Sequence, residues 1–600
     1  MPGREGDEPV DLLDIDAVVA AARAVGADAL HPGYGFLAEN AAAAEAVETA
    51  GIRWVGPTAE AIRAVGDKAA ARRLARSVRV PILPGYDGAD QDDEALARAA
   101  RRIGLPLIVK PAAGGGGKGM RVVRRHRDLP VALAAARREA TSSFGDDRLL
   151  LERFLDGPRH IEVQVLFDGH GDGIHLGERE CSLQRRHQKI LEETPSAAVG
   201  DELRERMTHA ALRLASAVGY RSAGTCEFLV DDTGAFYFLE MNTRLQVEHP
   251  VTEAVTGRDL VADQLAIASG RTLAEIGLEQ ASTDAARAGG GHSIEVRIYA
   301  EDADAGFLPA TGRVEALRWP DGASRFRPGG GLRIDSGIDQ GTVVDDRFDP
   351  MLAKVIVHGQ DRRAAVERLI EALDDTLILG LTTNLRFLRW LVRSPAFVEG
   401  DTRIDTLDRI WRPAGEVAPQ AANGSIPDTA WATAAALLAE APTSSDPFAS
   451  PWRMNGPPAL RLEAEGHERT VVPRHGPNAF ARIGTTVHLD VDGRSVPFSI
   501  AAAPTGSSGA GRTGTAGGGP RSTEVLAPMP GIVVRLDMEA GTMVDGGDPI
   551  AVLEAMKMEH VVVAPGPGRI GELLVGPGEH VTRGQPIATV EPGGGTLSAE

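Results

Sequence analysis

Up to about residue 400 the chain alternates short apolar runs with Ala-, Arg- and Glu-rich stretches of helical period. That alternation predicts an α/β or α+β architecture. Leu107-Ile108-Val109 reads as a short buried strand, and residues 131–140 and 201–218 read as helices. Between 415 and about 450 the sequence turns Ala/Pro/Ser-rich and loses clear periodicity. From about 452 to 500 short strands are expected, as in Thr486-Val487-His488-Leu489-Asp490-Val491. Residues 502–520 are almost free of large apolar side chains. They bury too little area to offset ordering entropy, so a flexible tether is expected. A compact β segment follows, from about 522 to 592.

Two stretches concentrate polar groups. Cys226 to Glu240 reads as two strands around a turn. With Thr233-Gly234 as a two-residue loop, Glu227 falls opposite Glu240 on one face. Like charges so placed destabilise a hairpin, and a divalent cation between them removes the penalty. Oxygen ligands of this kind suit Mg²⁺. The polar face continues with period two through Glu240, Asn242, Arg244, Gln246 and Glu248. An extended segment would aim all five in one direction; a solvated edge strand shows the same alternation. Upstream, Lys110-Pro111-Ala112-Ala113-Gly114-Gly115-Gly116-Gly117-Lys118-Gly119-Met120 follows the Leu107–Val109 strand. Four glycines let backbone N–H groups approach phosphate oxygens, and the lysines add charge. A flexible hairpin loop is the competing reading. It is not a P-loop, because GxxxxGK[ST] is absent.

The β segment contains a repeat. Residues 527–554 and 564–591 align without a gap, matching at Ala-Pro, Pro-Gly, Leu, Gly, Val, Gly, Pro-Ile-Ala and Glu. Two similar β units imply a quasi-twofold sandwich or barrel. The hairpin between them carries Lys557 at its turn, flanked by Met556 and Met558. An exposed hairpin lysine is common, but adaptable apolar neighbours suit a surface read by another protein.

Composition then excludes whole classes. At 600 residues about four domains are expected. Hydrophobic residues at 43% and charged residues at 25% exclude disorder throughout. No long uncharged apolar run occurs, so no spanning helix and no membrane partner are expected. The acidic start MPGREGDEPVDLLDID has no apolar core of the signal-peptide kind. Cys181 and Cys226 are the only cysteines, too few for a disulfide framework or a multi-Cys zinc site. A net charge of −20 argues against nucleic-acid binding. A cytoplasmic, multidomain protein is the expectation.

Five motifs carry a resemblance. Glu554-Ala555-Met556-Lys557-Met558 resembles the biotin attachment motif of biotin carboxyl carrier domains; lipoyl domains share the fold but usually lack the paired methionines. The glycine-rich loop resembles the lid of ATP-grasp enzymes, specifically biotin carboxylases. So do Met241-Asn242-Thr243-Arg244-Leu245-Gln246-Val247-Glu248-His249-Pro250, Glu180 to Lys189, and His31 to Asn40. Together they resemble the α subunit of a biotin-dependent acyl-CoA carboxylase. The fold implied is an ATP-grasp biotin carboxylase with an incomplete N-terminal Rossmann-like domain, a small β linker domain and a C-terminal biotinyl/lipoyl-type β-sandwich. The corresponding segments are 1–66, 67–280 with a lid at about 82–155, 281–400, 401–501, a flexible linker at 502–521, and 522–592.

The resemblance also implies roles. Lys68, Lys110, Gly116, Gly117, the hinge Glu152-Arg153-Phe154-Leu155, His160, Gln184 and His187 would bind ATP, with Glu152 accepting the adenine amino group. Glu227, Glu240 and Asn242 would hold Mg²⁺ or Mn²⁺ against the nucleotide. Lys189, Arg244 and the Val247 backbone would hold bicarbonate, Glu248 would deprotonate it, and Arg333 would stabilise the biotin enolate. Such a site orients bicarbonate while metal and lysines neutralise the triphosphate. The carboxyphosphate product is unstable in water, which gives a closing lid its purpose. Biotin, attached to Lys557 by a biotin protein ligase, would carry the carboxyl group to a separate carboxyltransferase β subunit in an α/β hetero-oligomer. The acyl-CoA would be acetyl-, propionyl- or 3-methylcrotonyl-CoA, and the region from 400 to 500 would dock the β subunit. Two departures stand out. The family's opening strand, glycine-rich turn and Asn-Arg-Gly-Glu-Ile-Ala motif do not precede His31, so a sheet with an unpaired edge is expected. The alternative is a biotin carrier and assembly subunit with an inactive carboxylase half. Pro111 also stands where the family usually has Ala. A further alternative is another ATP-grasp ligase with a lipoyl carrier.

Overall fold

The computed structural model describes residues 12–112, 119–185, 188–327, 331–411, 426–439, 459–502, 523–555 and 558–592. Gly116, Gly117, His187, Lys557 and nearly all of the expected tether lie outside them.

The N-terminal part holds α1 (Ile15–Ala24), β1 (Ala29–Leu30), α2 (Ala41–Thr49), β2 (Arg53–Trp54) and α3 (Ala59–Gly66). β1 and β2 pair in parallel, and among the described residues they are the whole of that sheet. Ala44, Val47, Ile52, Trp54 and Ile62 form its core. Asn40, the end of the His31 motif, caps α2 by accepting from the Ala42 and Ala43 amides. Thr58 caps α3 in the same way, and Asp67 caps α4 (Lys68–Ser77).

A small α+β unit follows: β3 (Gly85–Tyr86), α5 (Asp93–Ile103), β4 (Leu107–Pro111), β5 (Arg121–Val123), α6 (Leu129–Phe144) and β6 (Leu149–Arg153). Its sheet runs β3-β6-β4-β5, antiparallel throughout. The predicted strand at Leu107 lies within β4, buried along its length. The predicted helices at 131–140 and 201–218 correspond to α6 and to α7 (Asp201–Ala217).

The site stands on a nine-stranded sheet. Its strands include β7 (Arg159–Phe167), β8 (Gly173–Arg185), β9 (Gln188–Thr194), β10 (Ser222–Val230), β11 (Phe236–Asn242) and, after α8 (His249–Thr256), β12 (His292–Tyr299). The order is β11-β10-β7-β8-β9-β12, then Met351–Gly359, Leu332–Ser336 and Ser324–Arg325. One core packs α7 on it through Met207, Leu214, Phe228 and Phe238. A second gathers Val355, Leu369, Phe387 and Trp411 near the other end. The expected boundary at 280 falls between strands of this one continuous sheet, because β9 pairs directly with β12.

The Ala-rich region that lost periodicity contains a helix, Asp428–Ala439. It lies against five antiparallel strands between Leu460 and Ile500, with Trp431 edge-on to Phe498 at 5.2 Å. Eight of its residues are buried, so no polar face exists to mark a helical period.

The C-terminal segment is two four-stranded sheets. An offset of 37 residues carries Gly531–Leu536 onto Gly568–Leu573, Met543–Val544 onto His580–Val581, and Pro549–Ala555 onto Pro586–Pro592. The same offset exchanges one sheet for the other. The expected quasi-twofold sandwich is therefore present. Its central hairpin pairs as far as Ala555↔Met558.

Candidate active site

Glu227 and Glu240 are cross-strand partners, as expected, but the turn differs. Val230 pairs with Phe236, so residues 231–235 make a five-residue loop pinned by the Asp231 side chain. A bulge between Glu227 and Phe228 in the pairing then adds Leu239 and restores the offset that sets Glu227 against Glu240. Thr225↔Asn242 continues that register. Asn242 Nδ2 donates to Glu227 Oε1 at 2.8 Å.

The extended segment predicted through Glu248 ends at Asn242. Residues 243–248 are irregular, and Glu248 is the residue before α8, which has Pro250 in its first turn. Proline suits that position, and the chain must turn to start the helix. The five polar groups therefore do not share one direction.

Lys189, at the start of β9, is the centre of the site. Its Nζ donates to Glu162 Oε2 (2.5 Å), Glu227 Oε1 (3.0 Å) and Glu248 Oε1 (2.6 Å). Gln184 donates to His160 Nδ1 at 3.3 Å, and His160 Nε2 lies 2.9 Å from Glu227 Oε2. Burial opposes the charge on Glu227, yet Lys189 and His160 hold it below the usual carboxylate range. Glu248 is likewise buried, and Lys189, Arg297 and Arg179 hold it well below that range. Glu240 moves the other way: burial first, and then the Glu227 charge, push it up. A carboxyl raised by its cross-strand partner is what a cation between the two would relieve, so the donor set fits a divalent metal.

The expected nucleotide residues lie nearby. Lys110 Nζ reaches Glu152 Oε2 at 2.5 Å, and Arg72 pairs with the other oxygen. That buried carboxylate is thus engaged by two cations, one on each oxygen. The Arg153 and Phe154 amides donate to the Pro84 and Pro106 carbonyls, tying the hinge to neighbouring loops. Burial lowers the Lys68 ammonium, against the field of Glu240. Lys68 of α4 and Lys110 of β4 lie close enough for each to feel the other's charge.

Arg244 and Arg333 sit apart from Lys189. Arg244 donates to Gln246 Oε1 at 3.2 Å and lies 3.5 Å from Glu39 of the His31 motif. His31 meets Gln264 at 3.1 Å, which docks that motif onto the central sheet region. Arg333 is buried against Asp335 (2.8 Å) and Glu253 (2.6 Å). Among the described residues, no hydrogen bond or ion pair joins either arginine to Glu248 or Lys189.

Three residues that the sequence reading missed complete the cluster: Glu162, Arg179 and Arg297. Arg179 Nε donates to Glu162 Oε1 at 2.6 Å. Arg297 Nη2 reaches Glu248 Oε2 at 2.9 Å. His160-Ile161-Glu162-Val163-Gln164 and Ile294-Glu295-Val296-Arg297-Ile298 alternate charged or polar with apolar residues, yet both strands are buried on both faces.

Four family models match the chain: "Biotin carboxylase, N-terminal domain" over residues 4–62, "Carbamoyl-phosphate synthase L chain, ATP binding domain" over 67–276, "Biotin carboxylase C-terminal domain" over 295–409, and "Biotin-requiring enzyme" over 523–590. A mitochondrial methylcrotonoyl-CoA carboxylase subunit alpha of Oryza sativa subsp. japonica is 38% identical over 92% of this chain and 82% of its own length. A mitochondrial propionyl-CoA carboxylase alpha chain of Caenorhabditis briggsae is 37% identical over 91% and 79%. The biotin carboxylase domain of Hydrogenobacter thermophilus 2-oxoglutarate carboxylase, solved with ADP, magnesium and bicarbonate, is 39% identical with a TM-score of 0.62, covering 67% of this chain and 86% of that one. A likeness of that extent argues against the alternative of an inactive carboxylase half. With carboxylase and biotin-requiring segments on one chain, the chain belongs to the family of biotin-dependent acyl-CoA carboxylase α subunits.

Proposed function

We propose that this chain uses ATP and bicarbonate to carboxylate biotin held on Lys557, and delivers the carboxyl group to a carboxyltransferase β subunit that acts on an acyl-CoA. Acetyl-, propionyl- and 3-methylcrotonyl-CoA are the candidate acceptors. The observation that carries the reading is the Lys189 ammonium, held between the Glu227–Glu240 pair and Glu248.

Glu227, Glu240 and Asn242 would hold Mg²⁺ or Mn²⁺, which neutralises the triphosphate when bound. Lys68 and Lys110 face the same phosphates. The His187 and Gly116-Gly117 assignments rest on the sequence resemblance. Bicarbonate entering between Lys189 and Glu248 Oε1 draws the ammonium toward itself. The carboxylate thereby loses part of the field that depresses its proton affinity, at the moment it must accept a proton. Arg244 and the Val247 amide complete the bicarbonate contacts, and Arg333 faces the biotin. Biotin, attached by a biotin protein ligase, supplies the ureido nitrogen that takes the carboxyl group. The helix Asp428–Ala439 and its sheet are the docking unit for the β subunit in an α/β hetero-oligomer. Two buried free cysteines suit a reducing cytoplasmic setting, and among the described residues no helix is long and apolar enough to cross a membrane.

The test is bicarbonate-dependent ATP hydrolysis with free biotin. Glu248→Gln should lower it at least 100-fold, in line with loss of a general base. Intact-mass measurement should show biotin on the wild-type chain and none on Lys557→Ala; a lipoyl mass would overturn the carrier assignment.

A further inference from the structure

Glu248 is held at two points. Oε1 faces Lys189, while Oε2 takes Arg297 Nη2 at 2.9 Å. Arg297 is in turn fixed by Glu192 Oε1, from β9, at 2.5 Å. One residue earlier, the Val247 carbonyl accepts from Lys354 Nζ at 2.7 Å. Arg297 and Lys354 are direct cross-strand partners on β12 and Met351–Gly359. Two cations opposite one another in a buried sheet repel. Here they are kept together by Glu192 and Glu248 on one side and by Asp335 and Glu295, 3.5 and 3.9 Å from Lys354, on the other. Glu248 precedes α8 but its side chain makes no capping bond, so Lys189 and Arg297 set its direction, while Lys354 holds the backbone one residue earlier.

We infer that Arg297 and Lys354 are positioning residues: together they clamp the Val247–Glu248 dipeptide by side chain and backbone, and so aim Oε1 of Glu248 and the Val247 amide at the same bicarbonate. Neither touches the substrate. The inference rests on the reading of Glu248 as the base, and the experiment separates the two.

The titratable groups facing Glu248 are Lys189 and Glu192 of β9, Arg179 and the neutral Cys181 thiol of β8, and Arg297 and Glu295 of β12, with burial pushing Glu192 up to about 7 and Glu295 well up. Removing Arg297 takes away an adjacent cation, so the proton affinity of Glu248 rises. Removing Glu192 frees Arg297 for Glu248 alone, so it falls.

The full chain is assayed with Mg²⁺, ATP, bicarbonate and free biotin across pH. Arg297→Gln should lower kcat about 10- to 100-fold, as misplacement of a reacting group does, with KM for ATP within about twofold. It should also move the acidic limb of kcat/KM for bicarbonate up by about one pH unit. Arg297→Lys should recover much of kcat. Glu192→Gln should move the limb down, and Lys354→Met should raise KM for bicarbonate while the limb stays. If Arg297→Gln leaves kcat and the limb unchanged, or Glu192→Gln moves the limb the same way as Arg297→Gln, the inference fails. If Glu248→Gln retains bicarbonate-dependent turnover, the base assignment fails with it. If Glu248→Gln is inactive but the Arg297 variants behave as wild type, only the positioning role is lost.

Discussion

Glu227 and Glu240 oppose one another in register, yet their proton affinities move apart. The sign of each shift has a consequence for stability. Glu227, held below the ordinary carboxyl range, contributes stability that is present above that range and lost as pH falls below it. Glu240, raised, contributes the reverse: it favours the fold at acid pH, and that stability is lost as pH rises past about 4.5, the ordinary glutamate value. At neutral pH without metal, Glu240 therefore works against the fold. Glu240→Gln is expected to raise the metal-free melting temperature, at about 2–4 °C for each kcal/mol in a domain of this size. It should also remove most of the gain that Mg²⁺-ATP confers, a gain of about 2.7 kcal/mol for wild type when ligand is a hundredfold above its Kd. Thermal melts with and without Mg²⁺-ATP read both effects; a variant that melts lower and keeps the full gain would contradict the account. Lys189→Met strands three carboxylates in the interior, and breaking such a buried cluster costs about 3–5 kcal/mol. Chemical denaturation of the variant should show a loss of that size, together with loss of bicarbonate-dependent turnover.

Among the elements, the strands and helices with a clear two- or 3.6-residue period were legible in advance, and two kinds were not. The helix Asp428–Ala439 shows no polar stripe, because eight of its residues, nearly all apolar, are buried; Ala434, Ala435 and Trp431 are each 2% exposed or less. Its interior position predicts a large penalty for truncation. Trp431→Ala should destabilise this unit by about 3–5 kcal/mol, seen as early proteolytic cleavage between residues 460 and 500, while carboxylation of free biotin persists. The second kind is local irregularity. Period two continued past Asn242, but alternation alone does not mark where a strand stops, and the turn into α8 preserved the pattern while ending the strand. The Glu227–Glu240 pairing was read correctly although the turn was not, because the bulge at Leu239 made up for the longer loop. Among the site residues, Lys189 and Glu248 lie in the motifs, Glu227 came from the hairpin register and His160 from the family resemblance, whereas Glu162 and Arg297 come from strands whose charge stands out only once both sheet faces are known to be covered.

At the scale of the whole molecule, two machines are joined by one chain. Twenty residues, 503–522, separate the last described residue of the linker sheet from the carrier sandwich, enough for about 70 Å fully extended. Deleting them should leave carboxylation of free biotin and biotin attachment at Lys557 intact, while acyl-CoA carboxylation with the β subunit falls at least tenfold; equal rates would show that the carrier need not travel. The grouping around Lys189 has a further bearing on how the molecule runs. Three fixed anions already share the ammonium proposed to hold bicarbonate, so an incoming anion would compete poorly unless a metal-bearing nucleotide engaged Glu227. On that reading the site would act as a coincidence detector with a set order of addition. Titration calorimetry should find bicarbonate bound at least tenfold more tightly once Mg²⁺ and a non-hydrolysable nucleotide are in place. ATP is then spent only when its co-substrate is seated, and fuel and cargo arrive in sequence.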